Sequence, residues 1–315
     1  MSQRIPDNNE VLGYFKSCSN WGKWGPDDQL GTINYITPAK RKQAASLVRE
    51  GRSVTCSRPI AHDMSPDVIS PPMRHMLSTG EPWAGKKSQL GQIQGASDFI
   101  GMAYHGYTTT HIDSLAHMFW DGMMYNGQPA EAVTSRGGAT RESVDLLQDG
   151  ILTRGVLLDV AKLKGVKWLE KGYGVTPDEL EAAEKAGGVR VESGDALFLR
   201  TGNLRRRHEE GAYNLQKEGY PGYHGACIPW LHERQVALLG SDVPTDCHPS
   251  GYSSLFSPVH QVGLVAMGLW LLDNANLEGL AEACERYRRW EFLMMIAPLR
   301  VEGGTGSPVN PIATF

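Results

Sequence analysis

Thr110-His111-Ile112-Asp113-Ser114-Leu115-Ala116-His117 is the stretch on which the reading of this chain turns. Side chains two apart on an extended strand share a face, so His105, Thr109, His111 and Asp113 are expected on one side. His117 is expected to return from the turn that follows. Imidazole nitrogen and carboxylate oxygen gathered this closely suit a divalent metal. A lone His-x-Asp is more often a capped helix start, with Asp113 or Ser114 taking backbone N–H groups. The additional His105 and His117 weigh against that. So does the cost of burying unpaired polar groups beside the apolar segment Phe99-Ile100-Gly101-Met102-Ala103-Tyr104.

The stretch Tyr107-Thr108-Thr109-Thr110-His111-Ile112-Asp113-Ser114-Leu115-Ala116-His117 resembles a family hallmark, His-x-Gly-Thr-His-x-Asp-x-Pro-x-His. The family is that of the cyclases, which includes kynurenine formamidases, isatin hydrolases and related metal-dependent hydrolases. Thr110, His111, Asp113 and His117 agree; Tyr107, Thr109 and Leu115 depart from the pattern. Asn20-Trp21-Gly22-Lys23-Trp24-Gly25-Pro26-Asp27-Asp28-Gln29-Leu30-Gly31-Thr32-Ile33-Asn34 is similar to the start of the longer members. Met124-Tyr125-Asn126-Gly127, the strand ending Arg200-Thr201-Gly202, and Tyr220-Pro221-Gly222-Tyr223-His224 resemble further family segments.

The resemblance implies metal ligation by His111 and Asp113, with His117 as a second-site ligand or proton carrier. Tyr107 stands where the family carries its first His, and the choice between one ion and two stays open. His224 is the candidate for a late ligand, and its alternative is a helix-entry His. His260 is a candidate proton-transfer group, with an equally good reading as a helix-start residue. The resemblance also implies an α/β fold of the swivelling β/β/α type, a mixed sheet curved around Mn²⁺ or Zn²⁺. Trp24, Trp83, Tyr125, Tyr107 and His105 are candidates to contact a flat substrate.

Composition fits an ordinary enzyme. The net charge of −4 gives no reason to expect nucleic acid. The first residues lack an apolar signal core, and no window reaches the ~18 apolar residues of a membrane span. Five scattered cysteines without a Cys-x-x-Cys pair read as reduced thiols in a cytoplasm. Cys247 beside His248 is a poor nucleophilic dyad, since strand neighbours point to opposite faces.

The elements expected along the chain are these. Residues 1–19 form an extended arm. Thr37 caps a helix over 38–51 with Pro38 at its first position. Residues 54–59 form a strand, 63–97 a long mobile loop, and 99–113 a strand. Further strands are expected at 155–160 and 195–200, and one begins at 236. Helices are expected from Thr176 to Gly187, over 226–234, over the apolar run 258–272, and over 277–286. A last strand at 291–299 precedes Gly303-Gly304-Thr305-Gly306, read as turn formers. No linker divides the chain, so one domain is expected.

The function expected is hydrolysis of an amide, imide, formamide or lactone in a small, cyclic or aromatic compound by metal-activated water. A polyketide-type cyclase or dehydratase, or a metal protein that binds without turnover, is the alternative. A homodimer or homotetramer is the expected assembly.

Overall fold

The computed structural model describes residues 4–60, 64–68 and 70–315. Its centre is a run of parallel strands, Ile151–Asp159, Ala196–Arg200, Leu238–Ser241 and Trp270–Asp273, in that spatial order. All four are buried almost throughout. That is why they read as continuous apolar runs and not as alternating ones.

Antiparallel strands extend the sheet on both sides. His111–Asp113 pairs with Trp270–Asp273, placing His111 opposite Asp273, and Gly306–Pro308 closes that edge. Glu291–Ile296, Ile312–Thr314 and Ser53–Thr55 continue the other side of the nine-stranded mixed sheet.

Helices follow where caps specify them. Thr37 accepts from the Lys40 amide to open Pro38–Ala45. Thr176 and Glu179 form a capping box for Pro177–Gly187, which Gly188 ends in the left-handed conformation. The expected extended arm is instead a helix, Asn8–Ser17, because Asp7 and Glu10 also form a capping box.

Four other expectations change. The 99–113 strand is two strands, Ser97–Gly101 and His111–Asp113, joined by an irregular segment. Part of the expected 63–97 loop belongs to a ribbon, Met73–Ser78 paired antiparallel with Ser97–Gly101. The apolar run 258–272 is not one helix. Pro258–Val262 is a helical turn, Gly263–Met267 a π-turn, and Gly268, at φ +65°, reverses the chain into the strand Trp270–Asp273. An unbroken apolar run has no periodicity to separate strand from helix. The glycines read as turn formers lead into two more strands, Gly306–Pro308 and Ile312–Thr314.

Candidate metal centre

Asp113 is buried at the end of its strand, and two sets of donors meet its carboxylate. His105 Nδ1 lies 2.8 Å and His111 Nε2 3.3 Å from Oδ1. On the other oxygen, His260 Nε2 lies 3.6 Å from Oδ2 and 3.3 Å from Asp273 Oδ2. Neither Asp113 oxygen, nor His105 Nδ1, has an aligned hydrogen-bond partner. A buried carboxylate without donors is costly. Imidazole and carboxylate groups converging on it fit a divalent cation, and the absence of thiolate leaves Mn²⁺ and Zn²⁺ both compatible.

Each donor is held by a second contact. His111 Nδ1 donates to the Thr109 carbonyl at 2.9 Å, which turns Nε2 towards Asp113. His260 Nδ1 contacts Asp246 Oδ2 at 2.6 Å, and the same carboxylate accepts the Val259 and His260 amides. Asp246 therefore caps the turn at Pro258 and aims His260 at once. Asp273 Oδ1 accepts the Thr245 amide.

His105 arrives from the irregular segment and not from the strand face. That segment is pinned by Arg58, which donates to the Tyr107 and Asp242 carbonyls. Asn274 Nδ2 also donates to the Gly106 and Thr109 carbonyls.

The electrostatics follow from burial and charge. Burial would raise the Asp113 carboxyl, but His117 and His111 hold it well below the ordinary range. Burial would lower His260, yet Asp273, Asp113 and Asp246 push it well up. Burial pushes His117 down to about 4 against the pull of Asp113. Its ring is therefore neutral at neutral pH.

The sequence candidates divide. The structure brings His105, His111, Asp113 and His260 together. His117 stands beside them, its ring stacked on His105 at 3.9 Å. His224 lies outside both donor sets and caps a short turn by accepting the Ala226 amide. Tyr107 packs against Tyr220 at 5.9 Å, on the segment that carries His105. Trp24 is engaged edge-on with Tyr35, and Trp83 sits in the connection of the exposed ribbon. Tyr125 is fully buried and its hydroxyl donates to Asp28, so its ring belongs to the core.

Asp246 and Asp273 escaped the sequence reading. Asp273 closes a strand mistaken for helix, and Gly268 was the signal that could have divided the run. Asp246 caps a turn distant in sequence, for which no local signal exists. Cys247, its neighbour, is buried and its thiol pushed up to about 12, unlike a nucleophile.

A family model described as "Putative cyclase" matches residues 54–245. A crystal structure described as a novel cyclase is 32% identical at a TM-score of 0.84, covering 95% of this chain and 100% of its own. Isatin hydrolase A from Labrenzia aggregata is 21% identical at a TM-score of 0.60, over 86% of this chain and 94% of its own. Isatin hydrolase A from Ralstonia solanacearum is 21% identical at a TM-score of 0.56, over 83% and 91%. At these last identities the likeness is one of fold, and the expected mixed sheet of the swivelling β/β/α type is the fold shared. No curated protein matches the chain.

Proposed function

We propose that this chain, which belongs to the cyclase family, is a metal-dependent hydrolase opening an amide, imide, formamide or lactone bond of a small cyclic or aromatic compound. The observation that carries the proposal is the buried Asp113 carboxylate, which has imidazoles close on both oxygens but no aligned hydrogen bond and is shared between two donor sets. The names of the isatin hydrolases with this fold support a ring-opening reaction on a flat substrate.

His105, His111 and Asp113 would hold a divalent ion, with His260 and Asp273 completing a second set around the same carboxylate. A bound Mn²⁺ or Zn²⁺ supplies Lewis acidity towards water and a substrate carbonyl. His260 thus becomes a member of the ligand set in this reading, its ring fixed by Asp246. His117 is the proton carrier. Its neutral ring takes a proton as water is consumed and returns it to the leaving nitrogen or oxygen. Tyr107, on the segment that carries His105 and beside Tyr220, is the aromatic side chain we assign to a ring substrate. His224 holds its turn.

One domain, a cytoplasmic location consistent with buried free cysteines, and a homodimer or homotetramer complete the proposal. A panel of cyclic amides, imides and lactones, followed by absorbance with added Mn²⁺ or Zn²⁺, tests it. Ring opening that a chelator abolishes is expected. Dehydration of a polyketide-like chain, with every panel compound untouched, would replace hydrolysis by the cyclase reading.

A further inference from the structure

Arg58 carries a charge that its direct contacts leave unmatched. The residue is only 9% exposed. Its Nη1 donates to the Tyr107 carbonyl at 3.1 Å and its Nη2 to the Asp242 carbonyl. Both acceptors are neutral, and Nε is sealed in without a partner. The Asp242 carboxylate is turned elsewhere, accepting the Thr201 and Gly202 amides and the Thr201 hydroxyl. Asp67 grips Arg207 instead, through both of its oxygens. Among the described residues, then, no carboxylate pairs with Arg58. Burial pulls its guanidinium from 12.5 down to about 10, against the opposing pull of Asp242.

A cavity of about 200 Å³ opens beside this charge. Arg58, Thr108, Arg207 and His208 contribute its polar wall, Pro59 and Leu204 its apolar one. With Arg207 matched by Asp67, the guanidinium of Arg58 is the unmatched charge of the wall. A buried charge without a partner is costly, and a planar guanidinium takes a carboxylate as a fork. The volume lies below the range that drug-sized ligands need, so the occupant is small.

We propose that this cavity is a binding site for a small carboxylate, its anionic head towards Arg58 and Thr108 and its apolar body against Pro59 and Leu204. Inorganic phosphate would leave the apolar wall without a partner. A neutral ring would leave the guanidinium unanswered. Arg58 also pins the segment that carries His105, so the ligand sits on the scaffold of the metal centre while touching neither donor set. The site stands whether or not that centre is catalytic.

Calorimetric titration of the full chain with benzoate tests this, with methyl benzoate as the uncharged match. Benzoate should bind and raise the melting temperature, and methyl benzoate should do neither. Asp113→Ala should keep the benzoate affinity, because the head does not lie on a metal. Arg58→Gln should weaken it by about ten- to a hundredfold, the scale of a hydrogen bond to a charged group. Should Arg58→Gln fail to fold by circular dichroism, His208→Glu decides, since that wall residue is exposed. The added negative charge should weaken benzoate severalfold in a folded chain. Failure of benzoate to bind would overturn the proposal, as would equal binding of the two compounds. Affinity lost in Asp113→Ala would place the carboxylate on the metal centre, and unchanged affinity in the charge variants would place it elsewhere; either result contradicts the site.

Discussion

Asp113, His117 and Glu142 occupy buried or nearly buried positions for different reasons. Asp113 tolerates burial because imidazoles surround it. His117 lies outside both donor sets yet touches His105, which suits proton transfer better than ligation. His117→Ala should therefore retain metal and lose ~10²- to 10⁴-fold in rate on an amide. The loss should be smaller on an activated ester, whose leaving group needs little proton assistance. Equal losses together with loss of metal would make His117 a ligand.

Glu142, which belongs to neither donor set, gives a test of pH dependence. Both its carboxyl oxygens are buried without partners. Burial, with Asp28 nearby, pushes the carboxyl from 4.5 up to about 9. The folded chain then keeps a proton that the unfolded chain releases, so stability falls as pH rises between those two values. Glu142→Gln removes that titration. In denaturant melts the variant should gain on the wild type from about pH 5 upwards, by on the order of 1.4 kcal/mol for each pH unit up to about pH 8.5. It should show no such gain at about pH 4. A difference that does not change with pH would contradict the assignment.

At the scale of elements, the site is made where the short strand His111–Asp113 is gripped between Trp270–Asp273 and Gly306–Pro308. A Cβ at Gly306 would fall 2.5 Å from the Ile112 carbonyl and 2.9 Å from His105 Cε1. Gly306→Ala must therefore push the edge strand outward and displace His105. The expected result is a loss of 1–3 kcal/mol in stability, the usual cost of overpacking, with weaker metal retention by calorimetric titration. Wild-type metal affinity in that variant would show that the edge strand does not support the site.

Elements were legible where a local device writes them. The Thr37 cap and the Thr176–Glu179 capping box mark their helices in the sequence. Leu269 to Leu272 carries no such mark, because a strand buried on both faces and a buried helix share one composition. His111, Asp113 and His117 could be read because they are neighbours in the chain. Asp246 and Asp273 could not, since only the folded sheet brings the end of Trp270–Asp273 and the loop holding Asp246 to His260, beside Asp113.

Across the whole molecule, the parallel strands deliver Asp273 and the loop holding Asp246 to one end of the sheet. Clefts at the carboxyl ends of such strands are the usual ligand sites of open α/β sheets. The antiparallel strand from the other direction brings His111 and Asp113 to the same place. No helix among the described residues is long and apolar enough to cross a membrane. The Tyr107 departure in the motif pointed to a lost ligand, yet the irregular segment returns His105 to the carboxylate. That compensation depends on Arg58 and Asn274 holding the segment, contacts that no linear motif records.

The most direct test of the account is elemental analysis of protein purified without chelator, on the wild type and Asp113→Ala side by side. The account predicts at least about one equivalent of Mn or Zn in the wild type, and little in the variant despite a wild-type circular dichroism spectrum. Near-stoichiometric metal in Asp113→Ala, or a metal-free wild type that still hydrolyses its substrate in excess chelator, would contradict it.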